Sequence, residues 1–128
     1  MLKLIAFDLD GTVANTLADL AYAVNHALSL RDLPTFDVDD YRYLVGSGVD
    51  KLMRDTMGAA YTPEEAERMK ADFQCYYADH CLDYTRAYDG MSELLAKLSD
   101  DGYITAVVSN KPNRFVPVIL SELYKIVF

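Results

Sequence analysis

The chain has 128 residues, enough for one ordinary domain or one compact core with an insertion. Hydrophobic residues make up 52%, which excludes a disordered chain and supplies a packed core. A formal charge of -8 argues against nucleic acid or an anionic membrane as the main partner, because both call for positive surface.

The first element is an apolar run, Leu4–Leu9, which reads as a short buried strand. It is too short for a signal peptide, and Asp8 interrupts it. Leu17, Leu20, Ala21, Val24 and Leu28 then recur at helical spacing, and Pro34 closes that stretch. A short helix is expected over Val38–Leu44, broken by VGSG at 45–48, with helical character resuming over Val49–Met57. Thr62-Pro63-Glu64-Glu65 is a helix start: a threonine cap, proline in the first position and glutamate three residues after the cap. Ala66, Met69, Phe73, Tyr76, Tyr77, His80 and Tyr84 trace one face of the long helix that follows. His26 and His80 read as packing or surface residues, and the tyrosines as packing.

Asp89-Gly90 marks a turn, and Met91, Leu94, Leu95 and Leu98 form another helix that Gly102 is placed to end. Thr105–Ser109 is a β-branched strand, and Val116, Ile119, Leu120 and Leu123 make a last helical pattern. Pro117 implies that this helix starts late or is kinked. No run approaches the ~20 apolar residues of a membrane helix. Cys75 and Cys81 are six apart, on different sides of a helix, so they read as buried or half-buried free thiols in a reducing cytoplasm.

The order is strand, helices, then helix, strand, helix. We read an α/β fold in which residues 1–14 and 85–128 form the core and residues 15–84 a helical insertion. In parallel sheets, ligands bind beyond the carboxyl ends of the strands. Asp8 and Asp10 fall at one such end and Ser109 at the other. Two carboxylates in Asp-x-Asp suit a hard divalent cation, or a nucleophile beside a proton carrier. The bland alternative is that they only cap a turn. Gly11 permits close approach of backbone to a ligand, Thr12 orients a carboxylate or starts a helix, and Ser109 and Asn110 offer donors to an anion.

FDLDGT at 7–12 resembles the first motif of the haloacid dehalogenase superfamily, and VVSNKP its second, with Ser109 as the motif residue. TLADLAYAVNHAL is similar to the first cap helix, and VGSGVDKLM to the cap loop of phosphoglycolate phosphatase-like members. The resemblance implies a Rossmann-like parallel-sheet core with a helical cap. It also implies a magnesium-dependent phosphatase for a small phosphorylated metabolite, working through an aspartyl-phosphate. Asp8 would be the nucleophile and Asp10 the acid and base. Mg2+ would be held by the Asp8 carboxylate and the Asp10 carbonyl, and phosphate by Gly11, Thr12, Ser109 and Asn110. Dehalogenases of the superfamily lack the second aspartate, so Asp10 favours phosphoryl transfer.

Gly46, Ser47 and Gly48 are expected to face the Asp8 site, and Lys51 or Arg54 to meet a substrate carboxylate. A plain loop with solvated basic residues is the alternative. Lys111 is a candidate phosphate contact, with a solvated or helix-start lysine as the alternative reading. The family's third-motif lysine and fourth-motif acidic pair follow the second motif, whereas this sequence reaches Phe128 one helix past Ser109. The expectation is therefore a truncated product lacking on the order of 80 residues, nearly inactive by itself. An inactive fragment, a binding module, a pyrophosphatase and a sugar-phosphate mutase are the competing functions.

Overall fold

A computed structural model describes residues 3–112 and 114–124. Its main sheet has two strands, β1 (Leu4–Phe7) and β4 (Ile104–Val107), paired in parallel with Leu4 opposite Ile104 and Phe7 opposite Val107. Each strand is shorter than the apolar run that signals it. After Phe7 the backbone turns: the N–H groups of Thr12, Val13 and Ala14 all converge on the Leu9 carbonyl, at 3.3, 3.1 and 3.0 Å. Gly11 adopts φ +82° within that turn. A Cβ there would meet nothing within 4 Å, so it is backbone angle, not space, that favours glycine.

The expectation of a buried first strand is not met. No residue of β1 is buried, and Leu4 and Ile104 are 59% and 53% exposed. A parallel pair is covered only when helices lie on both faces and further strands on both edges. Among the described residues no third strand joins this sheet.

A second ribbon was not legible in the sequence. β2 (Ala14–Asn15) pairs antiparallel with β3 (Arg86–Ala87), Ala14 opposite Ala87. Two-residue strands carry no periodicity to read. The ribbon closes off a helical segment: the chain departs through β2 and returns through β3.

Between them lie α1 (Leu17–Ser29), a 3-10 turn (Val38–Arg42), α2 (Val49–Met57), a further 3-10 turn (Gly58–Ala60) and α3 (Pro63–His80). Helix α1 buries Leu20, Ala21, Val24, Ala27 and Leu28. Its small residues let it pack closely on α3, which buries Met69, Phe73 and Tyr77 at four-residue spacing. Thr62 caps α3, its hydroxyl accepting from the Glu65 N–H at 3.1 Å. The helix ends at His80, so Tyr84 does not continue the apolar face and is 61% exposed. The cause is Asp19 of α1, whose buried carboxylate takes the N–H groups of Tyr84 and Thr85 and the Thr85 hydroxyl. Asn25 pins the connection after α1 in the same way, bonding both backbone groups of Phe36 and the Tyr41 hydroxyl. Of the two thiols, Cys81 is buried, whereas Cys75 is exposed rather than half-buried.

The return half is helix α4 (Met91–Asp100), strand β4 and helix α5 (Val116–Leu123). Helix α4 ends as expected at Gly102. The Gly102 N–H bonds the Ser99 carbonyl at 3.1 Å and the Tyr103 N–H bonds Leu98 at 2.9 Å, closing the last turn. Pro117 occupies the first turn of α5, where its missing N–H costs nothing, so the helix starts late rather than kinks. Phe115 and Ile119 seat α5 against the common core, and the Tyr124 hydroxyl donates to the Val13 carbonyl.

Candidate active site

Asp8 stands one residue past β1, exposed, with its Oδ1 accepting the Leu9 N–H at 2.8 Å. Asp10 is half-buried in the turn that follows. Its Oδ1 accepts two bonds, from the Thr16 hydroxyl at 2.6 Å and from Lys111 Nζ at 3.0 Å. Both donors approach the same oxygen and so fix the carboxylate's rotation.

The reading of Lys111 as a solvated lysine is overturned. Its side chain is only 3% exposed, and Nζ lies 4.6 Å from the centre of the Tyr77 ring. Burial lowers its pKa, an effect that the Asp10 carboxylate partly offsets. The pairing joins residues 101 positions apart, through the parallel register of β1 and β4, and no local pattern announces such a partner. Ser109 supports the loop beneath it, its hydroxyl accepting the Lys111 N–H at 3.0 Å. The Asn110 amide donates to the Gly46 carbonyl at 3.2 Å, tying the loop after β4 to the one before α2.

These groups line one cavity of about 50 Å³. Its polar wall holds Asp8, Asp10, Ser109, Asn110 and Lys111. Its apolar wall is Leu20, Val45, Val49, Leu52, Phe73 and Phe115, with Gly46, Gly48, Tyr77 and Pro112 completing the lining. The adjacency of two parallel strand ends brings the halves of the polar wall together. Gly11, Thr12 and Ser47 lie outside the lining.

Lys51 and Arg54 lie outside it too. Lys51 pairs with Asp55 at 2.5 Å on the surface of α2, and Arg54 sits 5.2 Å over the Tyr61 ring. Helix α2 buries Leu52, Met53, Thr56 and Met57, which leaves positions 51 and 54 on the opposite face. The sequence reading also passed over Thr16, Asp19 and Tyr77. Thr16 and Asp19 lie within the stretch read only as a helix and its start. Tyr77 is one of several aromatics on one stripe, and the stripe does not say which of them reaches a cavity.

Among the described residues no group of three or more His, Cys, Asp or Glu side chains could hold a metal ion. The hard oxygens of Asp8 and Asp10 suit magnesium, a cation that keeps several waters and takes one or two carboxylates plus phosphate oxygens. The donor set therefore fits Mg2+ bound together with a phosphorylated ligand.

A phosphoglycolate phosphatase of Mannheimia succiniciproducens is 38% identical over 125 residues, covering 92% of this chain and 56% of the relative. An N-acetylmuramic acid 6-phosphate phosphatase of Pseudomonas aeruginosa is 34% identical over 122 residues, covering 95% and 54%. Among solved structures, a predicted phosphoglycolate phosphatase from Haemophilus somnus 129pt superposes with a TM-score of 0.87 at 36% identity, covering 96% of this chain and 58% of that one. The chain thus spans little more than half the length of the proteins it matches. The model of the haloacid dehalogenase-like hydrolases matches residues 5–126. With that match, and with an Asp-x-Asp at the end of a parallel strand beside the serine of its neighbour, the chain belongs to the haloacid dehalogenase-like hydrolase family.

Proposed function

We propose that this chain carries the phosphoryl-transfer site of a phosphatase acting on a small phosphomonoester. One observation carries the reading: Asp8, Asp10, Ser109, Asn110 and Lys111 line a single cavity at the carboxyl ends of two paired parallel strands. The relatives' names support it: two are phosphatases named for small phosphorylated compounds, and a third is a predicted phosphoglycolate phosphatase.

In this reading the Asp8 carboxylate attacks phosphorus in line with the ester oxygen. The P–O ester bond breaks, and the leaving oxygen takes a proton from Asp10. Asp10 then takes a proton from water as that water attacks the aspartyl-phosphate, which releases phosphate and restores Asp8. Thr16 and Lys111 both occupy Oδ1 of Asp10, so its other oxygen is left to handle the proton. The Ser109 and Asn110 groups bind phosphoryl oxygens. Magnesium, held by the Asp8 carboxylate and the Asp10 carbonyl, would neutralise charge on the phosphoryl group. Helices α1 to α3 act as the cap, setting the apolar wall beside the leaving group.

The lining favours a small ester. The wall from residues 15–84 is apolar apart from Tyr77, which leaves the hydroxyls of a sugar without partners. The test is phosphate release, with magnesium, from 2-phosphoglycolate and from N-acetylmuramic acid 6-phosphate. The reading expects slow release from the 128-residue chain, at least about tenfold faster for the smaller ester. Equal or reversed preference would overturn the argument from the lining. Release that survives Asp8→Asn would overturn the nucleophile.

A further inference from the structure

The geometry points to Tyr77 as the residue of the helical segment that recognises the leaving group, by donating its hydroxyl to an oxygen acceptor there. The inference rests on the reading in which Asp10 faces the leaving oxygen.

Three observations converge. First, the helices present an almost wholly apolar wall. Leu20, Val45, Val49, Leu52 and Phe73 line the cavity beside two glycines, and Tyr77 is the one lining side chain from residues 15–84 that can form a hydrogen bond. Lys51 and Arg54, the cations expected to meet a substrate carboxylate, are engaged on the far face of α2. Second, Tyr77 is fully buried, yet its hydroxyl has no hydrogen-bond partner among the described residues. A buried donor left unpaired is costly, and native proteins keep very few of them. Its neighbours give it ring contacts only: Phe73 stacked at 5.6 Å, Phe115 edge-on at 4.9 Å and Lys111 Nζ over the ring. Third, the carboxylate that acts most strongly on the hydroxyl is that of Asp10, and burial with this negative charge holds the phenol protonated. The phenol is therefore a donor, on a residue that lines the same cavity as the group assigned to the leaving oxygen.

The test uses two phosphonates that cannot be hydrolysed. 3-Phosphonopropionate carries a carboxylate where 2-phosphoglycolate does. 3-Methylbutylphosphonate has the same shape with two methyl groups in place of the carboxylate oxygens. Affinities are measured by calorimetry with magnesium, for the unchanged chain and for Tyr77→Phe. The unchanged chain should bind the carboxylate ligand at least about tenfold more tightly. Tyr77→Phe should reduce that ratio to within about twofold, leave the affinity for the alkyl ligand unchanged and not lower the thermal midpoint. A ratio preserved in Tyr77→Phe overturns the assignment, as does an equal loss for both ligands, which would mark a packing role. If the unchanged chain binds neither phosphonate, the phosphoester site itself is overturned and this inference falls with it.

Discussion

At the scale of the residue, the pairing of Asp10 with Lys111 is asymmetric, and the asymmetry is measurable. The lysine side chain is 3% exposed and the aspartate 17%. Removing the aspartate strands an ammonium in a dry place. Removing the lysine leaves a carboxylate that still accepts from Thr16 and still reaches water. Asp10→Ala should therefore cost about 3–5 kcal/mol of stability, and Lys111→Met should cost clearly less. Urea unfolding of the two variants checks this, and a larger loss for Lys111→Met would contradict it. FDLDGT announces Asp10 and SNK announces Lys111, but each motif is local and the contact is not. Sequence alone leaves a buried lysine looking like a solvated one, because the groups that desolvate it, Tyr77 and Asp10, come from two other segments.

At the scale of the element, contacts between segments matter more than helix propensity. The start of α3 was legible because its cap is a local pattern, threonine, proline and glutamate, with a known physical job. Its end was not, because α3 stops where Asp19 of another helix captures the next free N–H groups. That carboxylate closes the helical segment onto the strand that returns to the sheet. Asp19→Ala would leave the Thr85 N–H and hydroxyl without partners in a buried place, and the Tyr84 N–H without one at its edge. It should lower the unfolding free energy by about 3–5 kcal/mol, with Asp19→Asn losing less because one amide oxygen still accepts. Denaturant titration measures both. A loss under about 1 kcal/mol for Asp19→Ala would show that the Asp19 bonds are replaced by water. The β2–β3 ribbon beside it shares this hidden character: its two-residue strands exist because the segment's ends meet, not because of any local pattern.

At the scale of the whole molecule, the core is rich in buried groups that resist ionisation. Burial raises the pKa values of Cys81, Tyr41, Tyr77 and Tyr124 above their ordinary values of 9.0 for the thiol and 10.0 for the phenols. Above about pH 9 the unfolded chain sheds these protons while the folded chain keeps them, so the folded state binds more protons and stability falls as pH rises. Lys111 works the other way, since its lowered pKa makes the folded state release a proton first. Four groups outweigh one, and the unfolding free energy should decline between about pH 9 and 11. Tyr41→Phe should make that decline shallower by about 1.4 kcal/mol per pH unit above pH 10, as read from urea unfolding across the range. A stability that rises with pH would contradict the assignment of these groups as buried and protonated. The order of strands and helices, and so the fold class, was open to sequence reasoning because each helix carries its own periodicity. The exposure of β1 and β4 was not, because burial of a strand depends on what lies beside it.

The central claim, that Asp8 is the group that takes the phosphoryl, is tested most directly with beryllium trifluoride, which binds a carboxylate oxygen as a mimic of the aspartyl-phosphate. Fluorine NMR of the chain with beryllium, fluoride and magnesium should show protein-bound resonances that vanish in Asp8→Asn and persist in Asp83→Asn, a surface carboxylate bonded to His80. Bound resonances that survive Asp8→Asn, or their absence from the unchanged chain, would contradict the account.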